Sequence, residues 1–207
     1  VHVTAPVKDS LIAEALAWTP GTNGTVTAQA VQIIVPAQPT KEVLTKFFAD
    51  HRDRVKGKVV MVGAPAEVRV TILPPQKRRE DNEVRAQYDP ATPTPTGGFP
   101  GGPPARPDPN VVPANQVAEQ LDQFLVSAGA AGRVNDAGRE HGQIRAFNNR
   151  TFDIAKAVPT VVMRNEDYGR LSRLMADGLV VELELTIVNH TSPEGATAYN
   201  VVAEIPG

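Results

Sequence analysis

The sequence has no cysteine among its 207 residues. Disulfides, thiolate nucleophiles and cysteine-ligated zinc sites are therefore excluded from this chain, and the redox compartment stays open. The sequence also lacks an excess of either charge, since it has 21 Lys and Arg against 23 Asp and Glu, for a net charge of -2. Nucleic acids and anionic membranes call for a basic surface, so we expect neither as a partner. No apolar run approaches the roughly 20 residues of a membrane-spanning helix, so we expect no membrane span.

The two ends of the sequence favour a piece of a longer protein. The first residue is Val1 rather than Met, and no signal-peptide pattern of basic, apolar and small residues follows it. The last ten residues, AYNVVAEIPG, have a strand pattern that stops at a turn-like Pro206 and Gly207 with nothing further to pair with. We expect this strand to belong to a neighbouring domain.

Proline is concentrated in one segment, where 11 of the 19 prolines lie between residues 74 and 113. Such a composition buries too little apolar surface to offset the entropy of ordering the chain. We predict a loop or linker there, mostly extended. Its PxxP-like spacing also occurs in ligands of SH3 domains, but proline-rich loops are far commoner.

Apolar periodicity before this segment predicts a strand, a helix and a second strand. Residues 27–35 form the first strand, and residues 59–62 form a short apolar run bounded by glycine. The helix between them covers residues 40–57, with Thr40 as N-cap and Gly57 at its end. Its predicted buried face contains Val43, Leu44, Phe47, Phe48 and Val55.

The periodicity after the proline-rich segment predicts two more helices and two more strands. A helix over residues 115–132 ends in glycine and has its apolar stripe at Val117, Leu121, Phe124, Leu125 and Ala128. A strand over 158–164 and a helix over 165–178, capped by Asn165 and ended by Gly178, follow. Residues 179–189 then alternate, with one apolar face formed by Val181, Leu183, Leu185 and Ile187. Alternating strands and helices predict a mixed α/β domain.

Four segments in this order resemble the protease-associated domain of bacterial zinc aminopeptidases. They are VKGKVVMVG, EQLDQFLVSAGAAGRV, AVPTVVMRNEDYGRLSRLMADG with the alternating strand after it, and YNVVAEIPG. These enzymes are relatives of glutamate carboxypeptidase, transferrin receptor and carboxypeptidase Q. The resemblance covers residues 10–72 and 114–207 and leaves out the proline-rich segment.

The resemblance implies a protease-associated-type fold, with mixed β-sheet layers or an open barrel and about three peripheral helices. It divides the chain into a connecting segment (1–19), the domain itself (20–190, with the insertion 74–113) and the start of a missing peptidase domain (191–207). The zinc ligands of the family would lie beyond residue 207, so we expect no catalysis and no cofactor in this chain. The implied partners are the adjoining peptidase domain and a peptide or protein substrate, outside the cytoplasm in an extracellular or periplasmic space.

One His-x-Asp triplet, His51 and Asp53 in DHRDRV, does not predict a metal site, because residues two apart on a helix point in different directions. A dinuclear zinc centre also needs several more carboxylates and a second histidine. The same letters occur in kinase catalytic loops, but Lys58 stands where the required Asn would be. We interpret the triplet as a solvated helix face.

His141 lies near Asp136 and Glu140, but Gly138 and Gly142 favour a surface turn there rather than a metal site. His2 and His190 have no ligand spacing with the others. No serine stands in a G-x-S-x-G motif, the basic residues of QKRRE are neutralised by acids that follow, and the sequons at Asn23, Asn149 and Asn189 mean nothing in a bacterial protein.

A second function class stays open on the sequence alone. A free-standing protein- or peptide-binding module could hold a partner through the proline-rich arm. It could also do so by strand addition at an exposed edge of LVVELELTIV.

Overall fold

The computed structural model describes residues 1–69, 72, 80–88, 110–147, 149–151, 153–190 and 199–205. Eight strands lie in these ranges, listed here in chain order: β1 (His2–Ala5), β2 (Asp9–Ser10), β3 (Ala13–Ala15), β4 (Val26–Ile33), β5 (Val59–Val62), β6 (Gly132–Asp136), β7 (Thr160–Met163) and β8 (Glu182–Leu185). The helices are α1 (Lys41–Val55), α2 (Asp81–Tyr88), α3 (Ala114–Ala128) and α4 (Asn165–Ala176), with a 3₁₀ turn at Ile154–Lys156.

All eight strands belong to one mixed sheet, in the order β2-β1-β8-β4-β5-β6-β7-β3. Its centre is parallel: β4, β5, β6 and β7 are neighbours, and Val31 pairs with Val60 while Met61 pairs with Val134. The strands on both flanks are antiparallel to their neighbours. The mixed α/β class predicted from the sequence is confirmed.

The sheet is covered on both faces, because successive side chains of its central strands point to opposite sides. Val59 and Met61 of β5 join a core with β8 and with Tyr168 and Leu171 of α4. Val60 joins a second core that α1 and α3 supply, from Val55, Leu121, Phe124, Leu125 and Ala128. The apolar run at 59–62 is thus a central strand buried on both faces.

Helix α1 begins as predicted, since the Thr40 side chain accepts a hydrogen bond from the Val43 N–H. Leu44 and Val55 are fully buried, but Val43 is 45% exposed, so its place on the predicted buried face is wrong. One residue along a helix turns the side chain by about 100°. Leu44 therefore faces the sheet, whereas Val43 faces away from it.

Helices α3 and α4 lie where the sequence predicts them, with one correction at a cap. Gly129 ends α3 in the left-handed conformation (φ 72°) and donates to the Val126 carbonyl. Asn165 is the first residue of α4 rather than its N-cap, which is Arg164 with no side-chain capping bond. The Asn165 amide instead donates to the Asp136 carboxylate at 2.9 Å and ties the helix to β6.

The apolar face of residues 179–189 is confirmed. Its four side chains, Val181, Leu183, Leu185 and Ile187, are all buried in the α4 core. Glu182 and Glu184 alternate with them and are half-buried. The Glu182 carboxylate accepts a hydrogen bond from the Thr4 hydroxyl at 2.7 Å.

The N-terminal residues 1–19, expected to be a connecting segment, contribute three strands to the sheet. β1 pairs with β8, β2 pairs with β1, and β3 pairs with β7 on the far side of the sheet. These strands have two to four residues and no apolar run like that of β5, so the sequence did not reveal them. Strand β6 was missed because its five residues, GRVND, contain one large apolar side chain, Val134.

The expectation of a mostly extended proline-rich segment is wrong for residues 81–88, which form α2. This stretch, DNEVRAQY, contains good helix formers and neither proline nor glycine. Val112 is buried and donates its N–H to the Pro39 carbonyl, so the end of the expected insertion packs at the start of α1. Residues 73–79 and 89–109 lie outside the described residues.

The strand expected at 198–207 is not formed in the part that the structure describes. Residues 199–205 have no regular secondary structure, and their apolar side chains are exposed, Tyr199 at 85% and Val201 at 95%. Residues 191–198 and 206–207 lie outside the description. Among the described helices, none combines the length and the apolar content needed to cross a bilayer.

Candidate functional site

Strand β8 separates from β4 halfway along β4, and the candidate site lies in the gap between them. β8 pairs with the first half of β4, from Val26 opposite Leu185 to Gln29 opposite Glu182. The last bond on this side runs from the Ala30 N–H to the Val181 carbonyl, at 2.8 Å. Before Val181 the chain turns away toward α4 through Gly178, which has φ 80°. In the described chain, no strand pairs with the second half of β4 on this side.

Along the second half of β4, every other residue directs its backbone N–H and C=O toward the side that β8 leaves unpaired. Ala30 directs its N–H toward β8, whereas Ile33 directs its carbonyl toward β5, where it accepts from the Gly63 N–H at 2.9 Å. Since backbone groups alternate along a strand, the N–H and C=O of Gln32 point to the same side as those of Ala30. They therefore face the gap that β8 leaves.

A cleft of about 700 Å³ opens at this gap. Helix α1 forms one wall with Phe47, His51 and Arg54, which recur on one helical face. The end of α4 forms the other wall with Ser172, Met175 and Ala176, continued by the residues that lead into β8. The cleft is thus a groove with a strand edge along its floor.

A partly buried polar network holds the floor in place. The Gln32 side chain donates to the Gly63 carbonyl at 2.7 Å and accepts from the Ser172 hydroxyl at 2.9 Å. Tyr168 donates to the same Gly63 carbonyl at 2.8 Å, and burial raises the pKa of its phenol above its usual range. The network ties β4, β5 and α4 together. It engages the Gln32 side chain, whereas the backbone N–H and C=O of Gln32 are directed to the cleft.

The charge of the cleft is positive. Of the described residues that line it, Arg54 carries a full charge and none is acidic. His51 stacks on Phe47, with ring centroids 4.1 Å apart, and its Nδ1 lies 2.8 Å from the Phe47 carbonyl oxygen. The groove therefore combines apolar walls with a guanidinium and an imidazole on the α1 side.

The His-x-Asp triplet lies on helix α1, and its two side chains lie in different surroundings. His51 turns into the cleft wall, whereas Asp53 is exposed on the helix surface. The interpretation of this triplet as a solvated helix face is confirmed for the helix and for Asp53, but it is wrong for His51, whose ring is partly buried against Phe47.

The second histidine lies in a surface turn, as predicted. His141 has φ 58°, and its Nε2 is 3.6 Å from the Glu140 carboxylate. Asp136 accepts hydrogen bonds from the N–H groups of Ala66 and Gly138, at 2.7 and 3.0 Å. The Asp136 carboxylate thus organises local backbone. In the described ranges no group of three His, Cys, Asp or Glu side chains is placed to hold a metal ion.

Sequence reasoning missed an ion pair between α3 and β6. The Arg133 guanidinium lies 2.5 Å from the Asp122 carboxylate, and Arg150 lies 3.8 Å from the same group. Burial raises the pKa of Asp122, even though Arg133 and Arg150 act in the opposite direction. Both partners are mostly buried, so the pair fixes the helix on the sheet. Asp122 follows a leucine in an otherwise ordinary amphipathic pattern, and no local signal distinguishes it.

The strand edge proposed for the binding-module alternative is not free. β8, the strand within LVVELELTIV, pairs with β1 on one side and with β4 on the other. The expectation of an exposed edge there is wrong, because the unpredicted strand β1 occupies it. The open edge of this region belongs to β4 instead.

Comparison with known proteins gives similarities at the level of solved structures. No family model matches the sequence, and no curated protein matches it. The chain is similar to part of an aminopeptidase from Aneurinibacillus sp. strain AM-1, with a TM-score of 0.47 and 12% identity over 90% of this chain and 29% of that one.

Two further solved structures are similar to this chain. A peptidase M28 precursor from Shewanella amazonensis SB2B has a TM-score of 0.46 and 14% identity, over 90% of this chain and 33% of that one. BSAP, a zinc aminopeptidase from Bacillus subtilis, has a TM-score of 0.42 and 11% identity, over 91% and 30%. This chain therefore spans at most 33% of each of these proteins.

Proposed function

We propose that this chain is a non-catalytic domain of the protease-associated type, belonging to a secreted zinc exopeptidase. In this role it shapes substrate access or mediates protein interaction for a peptidase domain that follows it. The zinc and the catalytic residues would belong to that domain. An extracellular or periplasmic location is part of the same proposal and is supported by the resemblance.

The observation that carries the proposal is where the resembling segments lie. VKGKVVMVG contains β5, EQLDQFLVSAGAAGRV contains most of α3 and the start of β6, and AVPTVVMRNEDYGRLSRLMADG contains β7 and α4. β5, β6 and β7 are adjacent in the sheet, and α3 and α4 cover its opposite faces. The resembling residues are therefore the framework of a domain, as expected of an accessory domain.

The positions of the polar residues support the non-catalytic part of the proposal. His51 and His141 lie on different elements, one against Phe47 and one beside Glu140. Asp136 and Asp122 are engaged by backbone N–H groups and by Arg133 respectively. Each of these groups serves a local contact, and they do not converge on a common point where a substrate could react.

The test uses the natural protein that contains this chain. We expect its sequence after residue 207 to encode a zinc peptidase, and we expect the isolated chain, supplied with zinc, not to cleave aminoacyl p-nitroanilides or peptides. Removal of residues 1–190 from the full protein should change kcat/KM for a small nitroanilide by less than about threefold, because the chemistry lies elsewhere. For peptides of ten residues the change should exceed about tenfold, since access is then altered.

Two results would overturn the proposal. Peptide hydrolysis by the purified isolated chain, abolished by a chelator, would place the catalytic centre within it. A continuation of the natural sequence that encodes no metallopeptidase would remove the partner that the proposal requires.

A further inference from the structure

We propose that the cleft beside β4 binds an extended acidic peptide segment of another polypeptide, which adds to the free half of β4 as an additional strand. The proposal rests on three features that meet in one place: a strand edge with which no described strand pairs, two apolar walls, and a guanidinium that no described carboxylate engages. It goes beyond the peptidase proposal and does not depend on it, because the cleft lies wholly within this chain.

The strand edge supplies the backbone part of the site. Past Ala30 no described strand pairs with β4 on the cleft side, so the Gln32 N–H and C=O are directed into open space. Ile34, next in the same phase, also lines the cleft. The free half of β4 is Val31–Ile33, and these three residues span about 10 Å. The chain then continues without regular secondary structure to Pro36, which has no N–H. A three-residue extended stretch of a peptide matches the free half and continues the ladder of hydrogen bonds.

The walls select the side chains of the added strand. Alternate residues of an extended peptide point to opposite faces of the sheet. On the α1 face they meet His51 and Arg54, and on the α4 face they meet Met175 and Ala176. Arg54 is not engaged by any carboxylate of the described chain, so acidic side chains complement the first face. Apolar side chains complement the second, and the preferred peptide alternates acidic and apolar residues.

The other two open edges of the sheet are poorer sites. β2 consists of Asp9 and Ser10, and the Asp9 carboxylate is held by Arg170 at 2.7 Å. β3 has three residues, Ala13–Ala15, with Glu14 in the middle. Short, charged edge strands of this kind discourage further pairing. The β4 edge differs from both in being flanked by two helices.

Fluorescence anisotropy with two labelled peptides, acetyl-VEVEV-amide and acetyl-VKVKV-amide, tests the charge selection on the full chain at low ionic strength. We expect saturable binding of the VEVEV peptide and at least about tenfold weaker binding of the VKVKV peptide. Arg54→Glu should abolish or reverse this preference. Arg139→Glu, the same change of charge on a residue outside the cleft, should leave the preference intact. No saturable binding, or equal effects of the two variants, would overturn the proposal.

The backbone part is tested with N-methylated VEVEV peptides. One carries methyl groups on the amides of positions 1, 3 and 5, and the other carries them on positions 2 and 4, so each blocks one edge of the added strand. Strand addition requires one of the two to lose at least about tenfold in affinity while the other stays within about threefold. Equal affinities of the two peptides would show that no strand is added.

Hydrogen exchange measured by NMR locates the site and identifies the occupant. With the VEVEV peptide bound, we expect the Gln32 amide to gain protection while the amides of Ser10 and Ala13, which face away from β1 and β7 on the other open edges, do not. Protection confined to those edges would overturn the assignment. Protection of Gln32 in the free chain that rises with protein concentration would assign the edge to a second copy. Protection that disappears when residues 199–205 are deleted would assign it to this chain's own terminus, and both results contradict the proposal.

Discussion

The hydroxyl of Ser172 on α4 donates to the side-chain oxygen of Gln32 on β4, at a distance of 2.9 Å. The Gln32 side chain also donates to the Gly63 carbonyl, so both polar ends of its amide are hydrogen-bonded on the α4 face of the sheet. The same residue directs its backbone groups sideways into the cleft. One residue thus holds the helix that forms a wall and also offers the unpaired edge along the floor.

Loss of the Ser172 hydroxyl should lower stability measurably. In Ser172→Ala the Gln32 side-chain oxygen loses its donor in a partly buried place, so we expect the free energy of unfolding to fall by about 1 kcal/mol. Ser10→Ala is the matched control, because the Ser10 hydroxyl contacts His2 at an exposed position. Urea denaturation of the two variants measures the difference. Equal losses would show that the bond to Gln32 does not stabilise the helix on the sheet.

Two adjacent residues of α1 should respond very differently to truncation. Leu44 is fully buried and Val43 is 45% exposed. We expect Leu44→Ala to cost about 3 kcal/mol through lost burial and the cavity left behind, and Val43→Ala to cost less than about 0.5 kcal/mol. Thermal or chemical denaturation distinguishes them. A loss for Val43→Ala that approaches the loss for Leu44→Ala would contradict the rotation of α1 described above.

Two aspartates should titrate on opposite sides of the ordinary carboxyl value of 3.8. Burial raises the pKa of Asp122, so its contribution favours the folded chain at low pH and is lost as pH rises through the folded pKa. The hydrogen bond from Arg170 lowers the pKa of Asp9, so its contribution is present above the ordinary value and is lost as pH falls. Carboxyl-carbon NMR titration measures both midpoints, and a midpoint for Asp122 below that of Asp9 would refute the prediction.

The end of α3 depends on the backbone conformation of Gly129. Its φ of 72° suits glycine, and an added Cβ would meet no atom within 4 Å, so conformation alone sets the cost of a side chain. We expect Gly129→Ala to destabilise the chain by about 1 kcal/mol and Gly129→Asn to destabilise it less, since Asn tolerates this conformation better. Circular dichroism melts compare the two variants. Equal losses would point to a cause other than conformation.

The sequence revealed the elements whose side chains repeat over several turns or pleats. Helix α1 with its Thr40 cap, α3 with its stripe ending at Gly129, and the inward face of 181–187 are all long enough for a period to be read. The sequence did not reveal β1, β2 and β3, which have two to four residues each and no apolar run. β1 pairs with β8 and β3 pairs with β7, in both cases with residues more than 140 positions away, and β2 then pairs with β1.

The cleft could not be read from the sequence because it depends on where one strand stops pairing. Val26–Ile33 reads as a continuous strand, and nothing in it shows that β8 accompanies only its first half. The divergence comes from Gly178, which turns the chain toward α4 before Val181 joins the sheet. His51 illustrates the same limit. The sequence placed it correctly on a helix, but its stacking on Phe47 in the cleft wall depends on tertiary structure.

The first fifteen residues supply both ends of the sheet, β2 and β1 on one side and β3 on the other. β1 pairs with β8 and β3 pairs with β7, and both partner strands lie late in the described chain. The early strands therefore leave the ribosome long before their partners are synthesised. At ordinary rates of translation this interval is on the order of ten seconds. The parallel strands β4, β5 and β6 are synthesised before β7 and β8 and can pair sooner. Completion of the two flanks must then be a late, long-range step, and a nascent chain arrested before Thr160 should hold its N-terminal residues open to protease.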